Sequence, residues 1–368
     1  MKKVCFVIPR AYYLFNPEIS NAKDKVGGAQ KQAYLLSTGL AEDENFDVHF
    51  LVADFGQSDF EIKNNVKLHK SFNFSENILT RTKNFLKTLK KINADTYIFR
   101  SADIGVAFAV FYVKNILRKK VLYMIAADAE TTKKRQQIYN GFQVMSAMQF
   151  VYKKTDILTA QTQQQAAIFE KNRKRKPDAI IKNIYEYENR TQTANNKKDI
   201  ILWVGRLTEI KKPELFLDLA KKYPEEKFVM IAPVVLEKTE YGKEIQTEAK
   251  KIKNLQYIDY VKPEEIKNHY RKAKIYVLSS EYEGFSNTMA EAMLAECPIL
   301  SYNVNPDNIL NKFECGFCAE KGTEKFFLYF EKLLKNPEIC KKLGNNGANY
   351  IADNHRKEQI IDSFKKLL

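Results

Sequence analysis

The chain of 368 residues has no apolar run near the 18 residues or so that a helix needs to cross a bilayer; its longest, Ile104 to Val113, stops at Lys114. Nor does Met1-Lys2-Lys3 open a secretory leader, because the apolar stretch Val4 to Ile8 is short and Pro9-Arg10 ends it. These absences predict a cytoplasmic protein. Cysteine is sparse: Cys5, Cys297, Cys315, Cys318 and Cys340 form an odd, scattered set that fits reduced thiols rather than a disulfide framework. The pair Cys315 and Cys318 has metal or redox spacing but lacks a second pair and a nearby histidine. Only four histidines occur, His49, His69, His269 and His355, and they read as ordinary surface or half-buried residues. No Asp-x-Asp triplet is present, which removes the simplest short carboxylate motif for a divalent metal. No repeat recurs at a fixed period.

What the chain does have is enough apolar residue, 45%, to fill two cores, and a length that suits two domains. Short apolar runs alternate with helical patterns throughout, which predicts α/β domains with doubly wound parallel sheets. The strands expected in the first half are Val4 to Ile8, Val48 to Val52, Thr96 to Phe99, Val121 to Ile125 and Ile157 to Thr159. Those of the second half are Ile200 to Val204, Lys227 to Ile231, Leu255 to Ile258, Lys274 to Leu278 and Pro298 to Ser301. The polar, aperiodic segment 185–198 reads as a linker between a domain over 1–184 and another over 199–350. An active site is expected in the cleft beside that linker.

The most informative segment follows the strand Lys274 to Leu278. Ser279-Ser280-Glu281-Tyr282-Glu283-Gly284-Phe285-Ser286-Asn287-Thr288 leads into a helix through Met289, Ala292 and Met293, with Ser286 or Asn287 as its N-cap. The bare amides and positive dipole end of such a helix form an anion site. Glu283, in the turn, and Glu291, about one turn into the helix, can face the same pocket, where carboxylates would accept from hydroxyl groups such as those of a ribose or hexose. Upstream, the strand Ile200 to Val204 ends in Gly205, and Arg206 and Lys211 follow. Ligands of open parallel sheets bind outside the carboxyl ends of the strands, so these cations can converge on the same site. On chemistry alone Lys211 and Lys212 are equally good partners for a diphosphate.

Gly205-Arg206-Leu207 with Lys211, then Glu283 and Glu291, resembles the donor half of glycosyltransferase family 4, the retaining family of the GT-B fold. The resemblance implies two Rossmann-like domains facing each other across a cleft, the first binding the acceptor and the second, 199–350, binding a nucleoside diphosphate sugar. It implies that Arg206 and Lys211 hold the diphosphate, that Glu291 holds the ribose, and that Glu283 contacts the hexose. Its spacing favours Lys211 over Lys212. Donor contacts are also implied for Gly205, Gly284, Phe285, Ser286, Asn287 and Thr288. Gly27-Gly28-Ala29-Gln30 resembles the family's glycine-rich loop, and the segment 351–368 its helix returning to the first domain. Asn305-Pro306-Asp307-Asn308 resembles the branch that builds surface polysaccharide. One departure stands out: where many members carry a histidine after the strand Lys120 to Ile125, this chain has Ala126-Ala127-Asp128, so Asp128 is the candidate sugar contact.

Sixty Lys and Arg against 45 Asp and Glu give a net charge of +15, which calls for an anionic partner. The basic segment Ile78 to Ile92 could lie on anionic lipid, or serve as a crossover helix with a solvated lysine face. The aromatic and methionine residues Tyr139, Phe142, Met145, Met148, Phe150 and Tyr152 could line a lipid-acceptor groove or simply fill the core. The expectation is a transferase with no cofactor and no metal, acting on a nucleotide sugar and a saccharide or lipid-linked saccharide, at the inner face of the plasma membrane. The competing readings are a basic nucleic-acid-binding protein, and an epimerase or phosphorylase on a similar scaffold.

Overall fold

A computed structural model describes residues 1–18, 27–185, 198–232 and 240–368 of the chain. It divides into two compact units, Met1–Ile184 with Lys357–Leu368, and Tyr185–Arg356. The expected linker lies, over 186–197, outside the described residues. Among the described residues no helix is long and apolar enough to cross a membrane.

The first unit is built on strands β1 (Lys2–Val7), β2 (Phe46–Val52), β3 (Phe60–Lys63), β4 (Val66–Lys70), β5 (Thr96–Phe99), β6 (Lys120–Met124), β7 (Ile157–Ala160) and β8 (Ala179–Ile180). Their order is β3-β4-β2-β1-β5-β6-β7-β8, parallel except for the hairpin β3–β4. The second unit holds β9 (Ile200–Val204), β10 (Lys227–Ile231), β11 (Leu255–Ile258), β12 (Ala273–Leu278), β13 (Ile299–Ser301) and β14 (Gly316–Cys318), all parallel, in the order β11-β10-β9-β12-β13-β14. Helices cover both faces of each sheet, so central strands such as β9 are buried along their whole length and read as continuous apolar runs.

The expected strands form, and four more join them. The hairpin β3–β4 turns at Asn64-Asn65, both in the left-handed region at φ 49 and 60, which is the signature of a tight two-residue turn. Its outer strand is mostly exposed and carries a weak apolar signal. Strands β8 and β14 are two and three residues long. At Gly316 a Cβ would stand 2.2 Å from the carbonyl oxygen of Ile299, so only glycine lets β14 close against β13.

Three segments are placed by their packing. The helix Ile78–Ile92, capped by Asn77, turns Leu89 and Ile92 into the core with Phe85 and Leu86 beside them. It crosses over that face of the sheet through its C-terminal half, while Ile78 and Leu79 at its start stay exposed. Met145, Met148 and Tyr152 are core residues, whereas Phe142 is exposed. The residues from Ile351 to Asn354 complete the helix Pro337–Asn354, and the segment that rejoins the first unit starts at Lys357. There the helix Lys357–Lys365 packs on Gly28–Leu40, Phe364 lies against Phe6, and Ile361 fills the space beside Gly39.

Three histidines depart from the surface or half-buried reading: His49, His69 and His355 are buried. His49 Nδ1 and His69 Nε2 are 2.8 Å apart, and His49 Nε2 lies 3.0 Å from Asp47 Oδ2. Burial lowers both imidazole pKa values, and the charges of Lys3 and Lys67, with Lys91 for His69, lower them further; Asp47 partly restores that of His49. His69 is pushed down to about 4 from an ordinary 6.5. With the folded pKa below the unfolded one, the unfolded chain binds more protons between those values. Stability is then fully present above the ordinary value and lost as pH falls toward about 4. Denaturant melts at about pH 7 and about pH 4.5 should differ by up to about 3 kcal/mol through this group. His69→Leu should remove most of that difference, and an unchanged difference would contradict the assignment.

Candidate active site

In the second sheet β10 and β11 lie on one side of β9 while β12, β13 and β14 lie on the other, so the strand order reverses between β9 and β12. The segments that leave β9 and β12 depart to opposite sides and open a crevice at the carboxyl edge. These two segments are pinned to each other. Trp203 Nε1, at the end of β9, donates to Ser279 Oγ at 2.8 Å, and Ser279 Oγ donates to the carbonyl of Lys211 at 2.6 Å. The amide of Glu281 donates to the carbonyl of Ile210 at 2.8 Å. Thr208–Lys211 is shaped by the short 3-10 turn Glu209–Lys211, which ends in the left-handed Lys212. Gly205 starts the bend; a Cβ there would stand 3.0 Å from the Trp203 ring.

On this frame Lys211 Nζ meets Glu283 Oε1 at 2.7 Å, and Ser280 Oγ donates to the same oxygen at 2.5 Å. Lys212, left open by chemistry alone, turns instead toward Glu214 and the ring of Tyr302. Burial pushes the Glu283 carboxyl up, but the charge of Lys211 and the hydroxyls of Ser280 and Ser286 outweigh it and hold the group below the usual carboxylate range. Glu283 therefore stays ionised at neutral pH. Between the two strands the buried Tyr276 hydroxyl donates to the carbonyl of Val204 at 3.3 Å. Its pKa is driven well up, by burial first, with Thr288 opposing and the carboxylates of Glu283 and Glu291 adding to the rise. Both glutamates thus sit within electrostatic reach of one buried hydroxyl at the switch point. Glu291 also adds to the rise that burial imposes on Tyr270.

The helix Asn287–Leu294 starts here, with Ser286 Oγ accepting from the Met289 amide at 3.5 Å and lying 3.1 Å from Thr288 Oγ1. Its N-terminus and Gly284 are at the crevice, while the buried ring of Phe285 packs away from it, against His355, 4.4 Å between centroids, and against Tyr185. Asn287 Oδ1 accepts from the Tyr185 hydroxyl at 2.6 Å. Arg206 is exposed on the segment after β9. The loop Glu281 to Glu283 is braced from outside by Asn303, which donates to the Glu281 carbonyl, and by Lys321, 2.8 Å from Glu281 Oε1.

In the first unit Gly27 precedes the helix Gly28–Leu40 and its amide donates to Gln30 Oε1 at 3.1 Å. Asp128 lies after β6, where its Oδ1 accepts from Gln165 Nε2 at 2.9 Å. The bend Ala126 to Asp128 is set by the buried Glu130, which accepts from the amides of Ala126 and Ala127 and from the hydroxyls of Tyr123 and Tyr152. A line of buried polar side chains that sequence reasoning missed runs along the carboxyl edge of this sheet. Arg100, directly after β5, donates to Asn183, Asn183 donates to Gln161, and Gln161 donates to the carbonyls of Ile125 and Ala126. The available signal was an arginine immediately behind an apolar strand.

Trp203 is the chain's only tryptophan, so its emission reports on the pinned segments. Ser279→Ala removes the acceptor of a buried indole N–H and the donor to Lys211. It should cost about 1–3 kcal/mol in denaturant unfolding and alter the Trp203 emission. Unchanged stability and emission would show that the two segments hold their places without Ser279.

Residues 186–350 match the family model of glycosyl transferases group 1. An uncharacterized glycosyltransferase of Haemophilus influenzae is 20% identical over 354 residues, 93% of this chain and 96% of that protein. The capsular polysaccharide biosynthesis glycosyltransferase CapM of Staphylococcus aureus is 33% identical over 95 residues, 25% of this chain and 24% of that protein. Among solved structures, sucrose-phosphate synthase from Thermosynechococcus elongatus superposes with a TM-score of 0.81 at 15% identity, covering 100% of this chain and 98% of that one. HepE of Anabaena, solved in complex with UDP-glucose, superposes with a TM-score of 0.71 at 14% identity, covering 100% of both chains. These likenesses establish the two-sheet α/β architecture of the GT-B kind, and they lend no support to the nucleic-acid, epimerase or phosphorylase readings. The chain carries a glycosyl transferases group 1 domain over residues 186–350 and is a glycosyltransferase.

Proposed function

We propose that the protein is a retaining, metal-independent hexosyltransferase that moves a sugar from a nucleoside diphosphate donor to a hydroxyl of a saccharide acceptor. The acceptor is lipid-linked, in the synthesis of surface polysaccharide or lipopolysaccharide at the inner face of the plasma membrane. The observation that carries the donor half is the Lys211–Glu283 pair at the switch point of the second sheet. A carboxylate held ionised against a lysine, next to a helix N-terminus, offers one acceptor for sugar hydroxyls and several donors for phosphate oxygens.

In this reading Lys211 keeps one ammonium proton on Glu283 and turns the others to the diphosphate, which a three-donor group allows. Arg206, on the same segment, closes on the other phosphate oxygens, and the amides after Gly284 add the dipole end of the helix Asn287–Leu294. As the bond between the sugar carbon and the diphosphate breaks, negative charge grows on the leaving oxygen, and these preorganised donors stabilise it without a metal. Glu283 accepts from the hexose and Glu291 from the ribose. Asp128, oriented by Gln165, is the sugar contact that the family resemblance implies. Retention follows from the family resemblance. The lipid-linked acceptor is supported by the net charge of +15 and by the capsular role in the printed name of one relative.

Arg206→Ala should lower turnover at least about tenfold while the protein stays folded, since losing one such donor typically costs about 2.7–4 kcal/mol in the transition state. Release of the nucleoside diphosphate measures it, and full activity in the folded variant would contradict the assignment. Glu291→Ala should mainly weaken donor binding. Chelation with EDTA should leave the rate unchanged, and a loss restored by a divalent ion would overturn the metal-independent reading.

A further inference from the structure

Among the exposed large apolar residues of the first unit, six gather on neighbouring helical segments. Ile104, Phe108, Phe111, Ile116, Ile138 and Phe142 are between 37% and 69% exposed, far more than core-forming residues elsewhere in the unit. Scattered apolar residues on a surface are ordinary, but a contiguous set is not. Here three come from one helix, Ile104–Tyr112, at positions i, i+4 and i+7, so they share a stripe. Ile116 extends that stripe through the following turn, Val113–Leu117. Ile138 and Phe142 flank Gly141 at the junction of the helices Lys133–Asn140 and Phe142–Lys154. The helices pack together, with the rings of Phe111 and Phe150 6.4 Å apart. The helix Ile104–Tyr112 leaves the carboxyl end of β5, and Phe142–Lys154 ends just before β7 begins, so both run from the carboxyl edge of the sheet to its amino edge. That places Ile104 and Phe142 at the same edge as Asp128.

The charge carried by these helices is of one sign, with Asp103 at the cap of the first. The four helical segments carry Lys114, Lys133, Lys134, Arg135, Lys153 and Lys154 and not one aspartate or glutamate. Lys114 is paired with Asp156 at 2.6 Å, and Lys133, Lys134, Lys153 and Lys154 are exposed on the same helices as the apolar residues. A two-fold contact with a second copy would set lysines against lysines. A nucleic acid would satisfy the charge but offer no apolar phase for phenylalanine tips. An anionic bilayer supplies both: headgroups for the basic ring and the acyl boundary for the aromatic centre.

We propose that this face, rather than the basic helix Ile78–Ile92, docks the protein on an anionic membrane, with Phe108, Phe111 and Phe142 inserted at the acyl boundary. The inference deepens the lipid-linked acceptor reading and rests on it for its purpose: a docked first unit presents its carboxyl edge, with Asp128, to saccharides anchored in the same bilayer.

Co-sedimentation of the full chain with vesicles tests it, without donor or acceptor present. The wild type should bind vesicles of phosphatidylcholine mixed with phosphatidylglycerol and bind pure phosphatidylcholine weakly. Phe108→Ser, Phe111→Ser and Phe142→Ser combined should weaken anionic-vesicle binding by about tenfold or more. Lys133→Glu with Lys134→Glu should abolish the preference for anionic lipid, which keeps the test decisive if the triple variant fails to fold. Ile78→Ser with Leu79→Ser should leave binding within about twofold. Absence of wild-type binding, or loss only in the Ile78 and Leu79 variant, would overturn the proposal. So would a triple variant that binds vesicles normally while its mass in solution falls from dimer to monomer. Because no sugar chemistry enters the assay, its failure leaves the transferase reading intact, and failure of transfer to lipid-linked acceptors leaves the docking result standing.

Discussion

The hydrogen bonds from Trp203 to Ser279 and from Ser279 to the carbonyl of Lys211 are the constraint on which the candidate site depends. They join the segments that leave the two central strands of the second sheet at the place where its order reverses. Without that pin, the cations that follow β9 and the carboxylates that follow β12 would be carried by two independent loops. With it, Lys211 meets Glu283 across 72 residues of chain, and the pair is built before any ligand arrives. Interactions in place beforehand need no reorganisation when charge develops, which is where electrostatic stabilisation has most effect.

The pin also decides between neighbours. Lys211 and Lys212 are chemically equivalent, yet the short turn ending in the left-handed Lys212 sends one side chain to Glu283 and the other to Glu214. The same geometry keeps Glu283 ionised, since the burial that would protonate it is outweighed by the ammonium and two hydroxyls. Phe285 shows the complementary rule. Placed among the donor-contact candidates by its position in the motif, it instead packs against His355 and Tyr185 and supports the turn from below. Any contact it makes with a ligand would therefore come from its backbone amide and not from its ring.

Legibility in the sequence followed burial and range. Strands buried on both faces, such as Ile200–Val204, announce themselves as apolar runs; Phe60–Lys63 and Gly316–Cys318 are short or half exposed and do not. The spacing of Gly205, Arg206, Lys211, Glu283 and Glu291 is a local pattern on two strand–loop–helix units, so it could be read. The contacts that organise the site could not: Trp203 and Ser279 are 76 residues apart, and Arg100 and Asn183 are 83 apart. The His49–His69 pair was missed for the same reason, because neither residue's own strand reveals that its neighbour in the sheet, two places away across β2 and β4, carries the second imidazole. The helix Ile78–Ile92 could be read two ways from its sequence. Its basic amphipathic pattern is compatible with lipid or with a sheet, and its packing shows the sheet.

The central claim, that the switch point of the second unit holds a nucleoside diphosphate sugar through Lys211 and Arg206, is tested most directly by titrating UDP-, GDP-, ADP- and TDP-sugars in EDTA while following the emission of Trp203. The account predicts a saturable change with one donor class in the wild type, weakened about tenfold or more in Lys211→Ala and in Arg206→Ala. Saturable binding that is equally tight in both variants would contradict it, as would the absence of any response from a folded protein that transfers sugar.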